Sequence, residues 1–445
     1  MEASGGNSET INPVGGIDNG TPPAEPSAGN GGSEQPTAEQ PAAPQEPAPA
    51  PPEEPAPPPP VAEVFVEDSG LDCAVGALPN AIAANARLPN PFVKLDGTPV
   101  TTQADWRCRR KELRAMAERY VYGTKPGKPE SVSGNVANDQ IRVDVSNQGN
   151  SASFTAAVTL PTTGSAPYPA VFAVGGIDRN TFLGEGVAVI TFDTDTVAPE
   201  NGRQNKIGAF YDIYGNGPTG LLAAWAWGVS RYIDVIEASD GSVIDKNGLA
   251  VMGCSRLGKA AFAIGALDER IALSVPLESG TAGEPLYRAV AQGELGNNNE
   301  VSESLTAAFN LQPWFGDAFS PFLNSANTIP MDTHEIIGMY APRGLLVQDN
   351  PYIGQLTPRG GHAAALAGRE VYRALGAEEN FGYISNTIDG QHCLIRAEYQ
   401  EPLRQAIQRH LFKNEGAAAG TVVTNQTYAT ANPEDWIDWE TPTLQ

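Results

Sequence analysis

Apolar residues change their spacing part-way along this chain. Between residues 140 and 160 they alternate with polar ones, in Ile141-Arg-Val-Asp-Val145 and again in Ala152-Ser-Phe-Thr-Ala-Ala-Val-Thr-Leu160. A period of two marks strands with one wet face, so antiparallel strands at a sheet edge are expected there. Further on the apolar residues cluster in short runs, within Ala170–Val174, Val187–Phe192, Leu249–Met252, Ile271–Pro276 and Arg343–Asp349. Such runs predict strands covered on both faces. Helical periodicity lies between them, at Gly220–Glu237, Lys259–Ala266, Gly361–Leu375 and Pro402–Phe412. A charged helix precedes them all, Arg107 to Tyr122, with Asp105 placed to cap it. Strand and helix in alternation behind an antiparallel edge predict an α/β fold with a doubly wound, mostly parallel sheet. No internal repeat is visible.

The first 62 residues follow none of these periods. They hold 16 of the 38 prolines, nine acidic residues and no Lys or Arg. Repeats such as Ala48-Pro-Ala-Pro-Pro-Glu-Glu-Pro-Ala-Pro-Pro-Pro-Pro60 cannot bury a core, and like charges extend them. Residues 1–62 are therefore expected to be a disordered linker and residues 63–445 a single catalytic-size domain. A linker of this type commonly joins a catalytic module to a surface or to a binding module. No apolar run reaches the roughly 18 residues of a membrane span. Met1-Glu2-Ala3 does not open a signal peptide, so an export signal is expected to have been removed or to lie outside this sequence.

Formal charge narrows the partners. The chain carries −24, and about −15 remains without the linker acids. Clustered Lys and Arg, which neutralise phosphates, are missing, so nucleic acid is excluded as a partner. The four cysteines form no Cys-x-x-Cys pair and have no histidine at zinc spacing. Four buried thiols would suit a cytosolic enzyme. The acidic proline-rich tether favours two disulfides and a secreted, extracellular protein instead.

The candidate chemistry centres on Asn247-Gly-Leu-Ala-Val-Met-Gly-Cys-Ser-Arg-Leu-Gly-Lys-Ala260. An apolar strand breaks at Gly253, puts Ser255 on the turn and continues into a helix of small residues. This is the strand–turn–helix setting of a nucleophile elbow. The spacing is Gly-x-Ser-x-x-Gly, with Gly258 one place later than in the commoner motif. A serine nucleophile needs a base and a group to orient that base. Four histidines are available. His334 reads as part of a helix start, His362 opens a helix, and His410 lies on a charged helix expected at the surface. His392, in the loop Thr387-Ile-Asp-Gly-Gln-His-Cys393, follows the serine and the last strands in chain order, as an α/β-hydrolase base does. Cys393 adjoins it as Cys254 adjoins Ser255, so a Cys254–Cys393 disulfide would tie base to nucleophile, leaving Cys73 for Cys108. For the acid two candidates stand at strand ends, Glu278 and Asp349, and spacing alone does not choose between them.

Together Gly253-Cys-Ser-Arg-Leu-Gly-Lys259, Pro276-Leu-Glu-Ser-Gly280, Pro313-Trp-Phe315, Ala341-Pro-Arg-Gly-Leu345 and Gln391-His-Cys393 resemble the glucuronoyl esterases of carbohydrate esterase family fifteen. The likeness extends through Leu88-Pro-Asn-Pro-Phe92, Asp105-Trp-Arg-Cys-Arg-Arg110, Tyr211-Asp-Ile-Tyr-Gly215 and Ala224-Trp-Ala-Trp-Gly-Val-Ser-Arg231, roughly residues 70 to 440. The resemblance implies an α/β-hydrolase, a three-layer αβα sandwich, with a serine triad and neither metal nor cofactor. It implies hydrolysis of the ester between (4-O-methyl-)glucuronic acid on xylan and lignin alcohols. A carbohydrate-binding module ahead of the linker in a longer precursor is then expected, and we expect a monomer with no membrane partner. Carried over, Ser255 is nucleophile, His392 base, Glu278 acid and Arg256 the oxyanion residue. Lys259 and Trp314 join the substrate-binding set. The family's Gln and Glu before Pro-Trp-Phe correspond, counted without gaps, to Glu303 and Leu311, and its later Trp to Tyr352. Glu303 and Tyr352 are therefore the expected replacement ligands. Two other readings stand beside this one: an acetyl or feruloyl esterase on the same fold, and a non-catalytic carbohydrate-binding protein that keeps it.

Overall fold

The computed structural model describes residues 66–293 and 300–445. The proline-rich stretch, residues 1–62, lies outside the described residues. Ten strands form one sheet in the order β1-β2-β3-β5-β4-β6-β7-β8-β9-β10. The alternating segment supplies β2 (Gln140–Asn147) and β3 (Asn150–Thr159), and β1 (Ser131–Val136), which lies ahead of that segment, pairs with β2 to complete the antiparallel edge. The five apolar runs supply most of the parallel body: β4 (Tyr168–Val174), β5 (Ala188–Phe192), β6 (Ile244–Cys254), β7 (Leu273–Leu277) and β8 (Gly344–Gln348), and β9 (Phe381–Ser385), which the run pattern did not single out, extends it. The short β10 (Val422–Thr424) closes the far edge in parallel with β9.

Side chains along β4 explain why its run is unbroken. Ala170, Phe172 and Val174 enter one apolar cluster, shared with the helices Leu221–Ala238 and Arg256–Leu267. Val171 and Ala173 enter a second, shared with Phe182 and with Tyr399, Leu403 and Ile407 of the helix Ala397–His410. Each strand residue is buried on whichever side it points, which gives the three layers of an αβα sandwich. The swap of β4 and β5 in the order lets the parallel strands wind outward both ways, and loops gather at their carboxyl ends. This is the α/β-hydrolase fold.

Several local expectations change. Thr102, not Asp105, caps the first long helix (Gln103–Met116); Asp105 is the third helical residue and completes a capping box. That helix continues to Tyr122 in wider π-type turns. The last long helix starts at Ala397, with Pro402 inside it. His410, expected at the surface, is buried and packs over Gly344 at the start of β8. Its helix is amphipathic, and His410 falls on the inward stripe with Leu403, Ala406 and Ile407. Burial pushes its pKa down to about 3, so it is a neutral packing residue.

Candidate active site

Strand β6 is longer than its apolar core suggests and delivers Ser255 at its carboxyl end, where the helix Arg256–Leu267 begins at once. Ser255 sits at φ 60°, ψ −129°, a strained backbone for a residue with a Cβ. Two glycines make the turn possible. A Cβ on Gly253 would collide with the Leu257 carbonyl, and one on Gly258 with the Leu277 carbonyl of β7. Gly258 therefore stands where the new helix crosses the neighbouring strand, which accounts for its displaced spacing. The Ser255 N–H donates to Leu277 O at 2.9 Å, and Lys259 N–H donates back to Ser255 O at 3.0 Å, closing the first helical turn.

Glu278 is the first residue beyond β7 and is fully buried. Its Oε2 lies 2.6 Å from His392 Nδ1 and accepts the Cys393 N–H at 2.7 Å. One carboxylate oxygen thus fixes both the imidazole and the backbone that carries it. With Nδ1 so engaged, Nε2 is the working end of the ring. Glu278 and Cys393 have φ of 46° and 59°, so with Ser255 three non-glycine residues of this site adopt left-handed backbone. Such strain persists only where surroundings enforce it. Here they do: Cys254 and Cys393 are joined, with Cα atoms 5.9 Å apart, while Cys73 is joined to Cys108 on the first long helix.

Asp349, the other candidate acid, ends beside β8 and is also fully buried. It accepts from Tyr383 Oη at 3.2 Å rather than from His392. Burial, with Glu284 and Glu278 nearby, raises its pKa well above the carboxylate range. Glu284 accepts from the Ser279 hydroxyl, and burial lifts it to about 7.

Ser255 and His392 open onto one cleft of about 400 Å³. Arg256, Lys259, Glu303 and Trp314 line it too, as does Leu311. Lys259 is buried; its Nζ donates to Ser279 O at 2.6 Å, faces Glu303 at 3.8 Å and sits 5.1 Å from the Trp314 ring centre. Burial lowers its pKa to about 8. Tyr352 is elsewhere: it packs against Gly390 and is not among the cleft-lining residues. The nearby Asn350 and its turn hold the His392 loop and leave Tyr352 on that side.

Sequence reasoning missed Glu200 and Gln312, which also line the cleft. Glu200 takes Arg256 Nε at 2.7 Å on one oxygen and Trp314 Nε1 at 2.6 Å on the other. It follows β5 in an Ala-Pro-Glu-Asn-Gly turn, and its only signal was that loop's place at a strand's carboxyl end. Gln312 was one residue from Leu311, where the ungapped count ended; its Oε1 accepts the Gly202 N–H at 3.0 Å. Ligand atoms of Cys254, Glu278, His392 and Cys393 lie within 4.8 Å of one another. The two sulfurs are bonded to each other, so neither offers the thiolate that a metal would take.

The arrangement is that of an acyl-transfer site: a strained serine, a histidine held by a buried carboxylate, and a polar cleft over both. Comparison with known proteins agrees. A family model described as glucuronyl esterase, fungi, matches residues 143–376. A 4-O-methyl-glucuronoyl methylesterase of Podospora anserina is 36% identical over 365 residues, spanning 80% of this chain and 75% of that protein. One from Hypocrea jecorina is 35% identical over 379 residues, 84% of this chain and 80% of that protein. Among solved structures, the glucuronoyl esterase catalytic domain of Hypocrea jecorina has a TM-score of 0.75 at 33% identity, covering 84% of this chain and 100% of that one. A serine-to-alanine variant of the Sporotrichum thermophile enzyme, in complex with methyl 4-O-methyl-β-D-glucopyranuronate, gives the same four values.

Proposed function

The chain belongs to the glucuronyl esterase family, and from that premise we infer that it is a serine carboxylic-ester hydrolase acting on the ester between (4-O-methyl-)glucuronic acid of xylan and lignin alcohols. The observation that carries the residue roles is the serine elbow opening onto the same cleft as a histidine whose Nδ1 is held 2.6 Å from a buried carboxylate.

His392 Nε2 takes the Ser255 hydroxyl proton as Oγ attacks the uronate carbonyl. The imidazolium then gives that proton to the departing alcohol oxygen, leaving an acyl-serine. Water, deprotonated by the same nitrogen, releases the glucuronate and restores Ser255. Glu278 keeps the ring in one tautomer and stabilises its charged form. The Arg256 N–H at the helix start and its guanidinium, steadied by Glu200, serve the oxyanion, together with the Gly175–Gly176 turn. Each such donor is worth about 3–4 kcal/mol in the transition state. Gly175 belongs in this set because a Cβ there would collide with Leu257, so the turn after β4 lies against the elbow. Lys259, Glu303 and Gln312 offer a donor and acceptors suited to sugar hydroxyls. The ester is neutral and the product an anion, so the acidic chain favours release.

We read the protein as a secreted monomer; its two disulfides suit an oxidising exterior. Among the described residues no helix is long and apolar enough to cross a membrane. The test is hydrolysis of benzyl glucuronate by the native chain and by Ser255→Ala, beside p-nitrophenyl acetate. Turnover of glucuronate ester that vanishes in the variant supports the reading. Preference for the acetate would point to a different esterase.

A further inference from the structure

A second groove, of about 670 Å³, lies where β4 and β6 begin, beside the paired Tyr168 and Ile244. Ser255 follows the other end of β6, and the seven residues of β4 separate the two ends by about 20 Å. The reaction leaves this groove unused. Its floor is bare backbone. Gly164 and Gly186 have φ of 79° and 82°. A Cβ on Gly164 would lie 3.7 Å from Tyr168 Cε1 and 4.0 Å from Gly186 Cα, and one on Gly186 would lie 3.8 Å from Phe412 Cζ. Two aromatic rings thus flank a strip that no side chain fills. Both are held in place. Pro167 and Pro169 fix φ on either side of Tyr168, whose N–H donates to Val243 O at 2.9 Å. Phe412 follows the helix Ala397–His410, donates its N–H to Ile407 O at 3.3 Å and is 41% exposed.

Polar groups stand beside the rings. Thr163 and Ser165 bring exposed hydroxyls. Asp245 uses one oxygen to accept the Asn247 N–H at 2.9 Å, and Lys413 gives one of its three hydrogens to His410 O at 2.8 Å, so both keep bonding capacity. Rings with donors and acceptors at their sides suit a pyranose, whose C–H faces are apolar and whose edges carry hydroxyls. The carboxylates of Glu185 and Asp245 outnumber the one ammonium, which turns away a charged glucuronate branch. We propose that this groove is a second saccharide-binding site and takes an undecorated stretch of xylan backbone. The choice of xylan rests on the glucuronate-ester reading given above; the saccharide class rests on the groove itself. A chain held at the amino ends of the strands leaves the catalytic cleft open, and it keeps the ester groups of the same polymer at high local concentration.

The experiment titrates xylohexaose, which carries neither ester nor glucuronate, into the full native chain and into Tyr168→Ala, Phe412→Ala and Asp245→Asn, by calorimetry. Phe412 is exposed, and Asp245→Asn keeps the acceptor for the Asn247 N–H, so these two variants should fold even if Tyr168→Ala does not; melting curves check all three. Xylohexaose should bind the native chain, and removing either ring should weaken it about tenfold, the scale of one lost aromatic contact. Asp245→Asn should weaken it less, and kcat/KM on benzyl glucuronate should stay unchanged in every folded variant. No binding by the native chain, or equal binding by Phe412→Ala, overturns the proposal. Cellohexaose bound as tightly as xylohexaose would assign the groove to glucans and overturn the choice of xylan. A fall in benzyl glucuronate turnover that matches the fall in binding would put the oligosaccharide in the catalytic cleft and overturn it too. If the native chain binds xylohexaose through these residues yet hydrolyses no glucuronate ester, the functional reading fails and the saccharide site stands.

Discussion

Cys254 and Cys393, 139 residues apart in sequence, are covalently joined, so the residue before Ser255 is bonded to the residue after His392. In most serine hydrolases the fold alone must hold nucleophile and base in register; here a covalent link adds to it. The exposed ring of His392, 41% accessible, would otherwise depend on one carboxylate and a surface loop.

Replacing both cysteines with serine should therefore cost activity as well as stability. Opening so long a loop is expected to destabilise by about 2–5 kcal/mol. Turnover should fall further than the melting shift explains, because His392 gains freedom. Thermal unfolding and kcat measured well below the transition separate the two effects. A variant that melts earlier yet turns over normally would confine the bond to stability.

Ser255→Ala and His392→Ala should each lower kcat by roughly 10⁶-fold, and the double variant should be no worse than either, because the pair acts as a unit. Steady-state rates with active-site titration measure this. A double variant far slower than both singles would require independent roles.

Lys259 is expected to bind the sugar and not the oxyanion, since its ammonium reaches Ser279 O and Glu303 on the acyl side of the cleft. Lys259→Ala should raise KM for glucuronate esters about tenfold or more, the scale of a lost charge-assisted hydrogen bond, and spare simple acetates. Burial holds its pKa near 8, below the ordinary 10.5. Above about 8 the folded protein loses this charge while the unfolded chain keeps it, so stability should rise with pH between the two values. Over the same range KM for glucuronate esters should rise, as the donor turns neutral. A KM flat with pH in the native chain would remove Lys259 from sugar binding.

The fold was legible because its strands are short apolar runs and its edge strands alternate; burial on both faces leaves no other pattern for β4 or β5. Ser255 was legible because an elbow needs local sequence, a strand, glycines and a helix. Glu278 was not separable from Asp349, since both follow strand ends and only the path of the His392 loop decides which one meets the ring. Glu200 and Gln312 escaped because they lie outside strand and helix, where no periodicity shows that they meet Arg256 and Gly202. His410 escaped because a helix rich in charge still has one inward stripe.

The two buried carboxyls give the sharpest test, since a substitution at each should move a different observable. Glu278 holds His392 Nδ1 at 2.6 Å and accepts the Cys393 N–H at 2.7 Å. Glu278→Gln keeps the shape but removes the charge that supports the imidazolium and allows the wrong tautomer, a loss of about 10⁴ in kcat. Asp349 meets no imidazole; it accepts from Tyr383 Oη, and its raised pKa means that folding opposes its ionisation. The folded protein therefore binds more protons than the unfolded chain at any pH between the ordinary 3.8 and the raised value, and stability falls as pH rises through that range. Asp349→Asn removes the titration, so at neutral pH it should leave the melting temperature unchanged or higher, flatten its acid-side slope, and lower kcat less than about tenfold. Melting curves across pH, with kcat for both variants, decide the matter. If Asp349→Asn were the crippling change, the acid of the triad would be Asp349 at the end of β8, and Glu278 would only hold the loop.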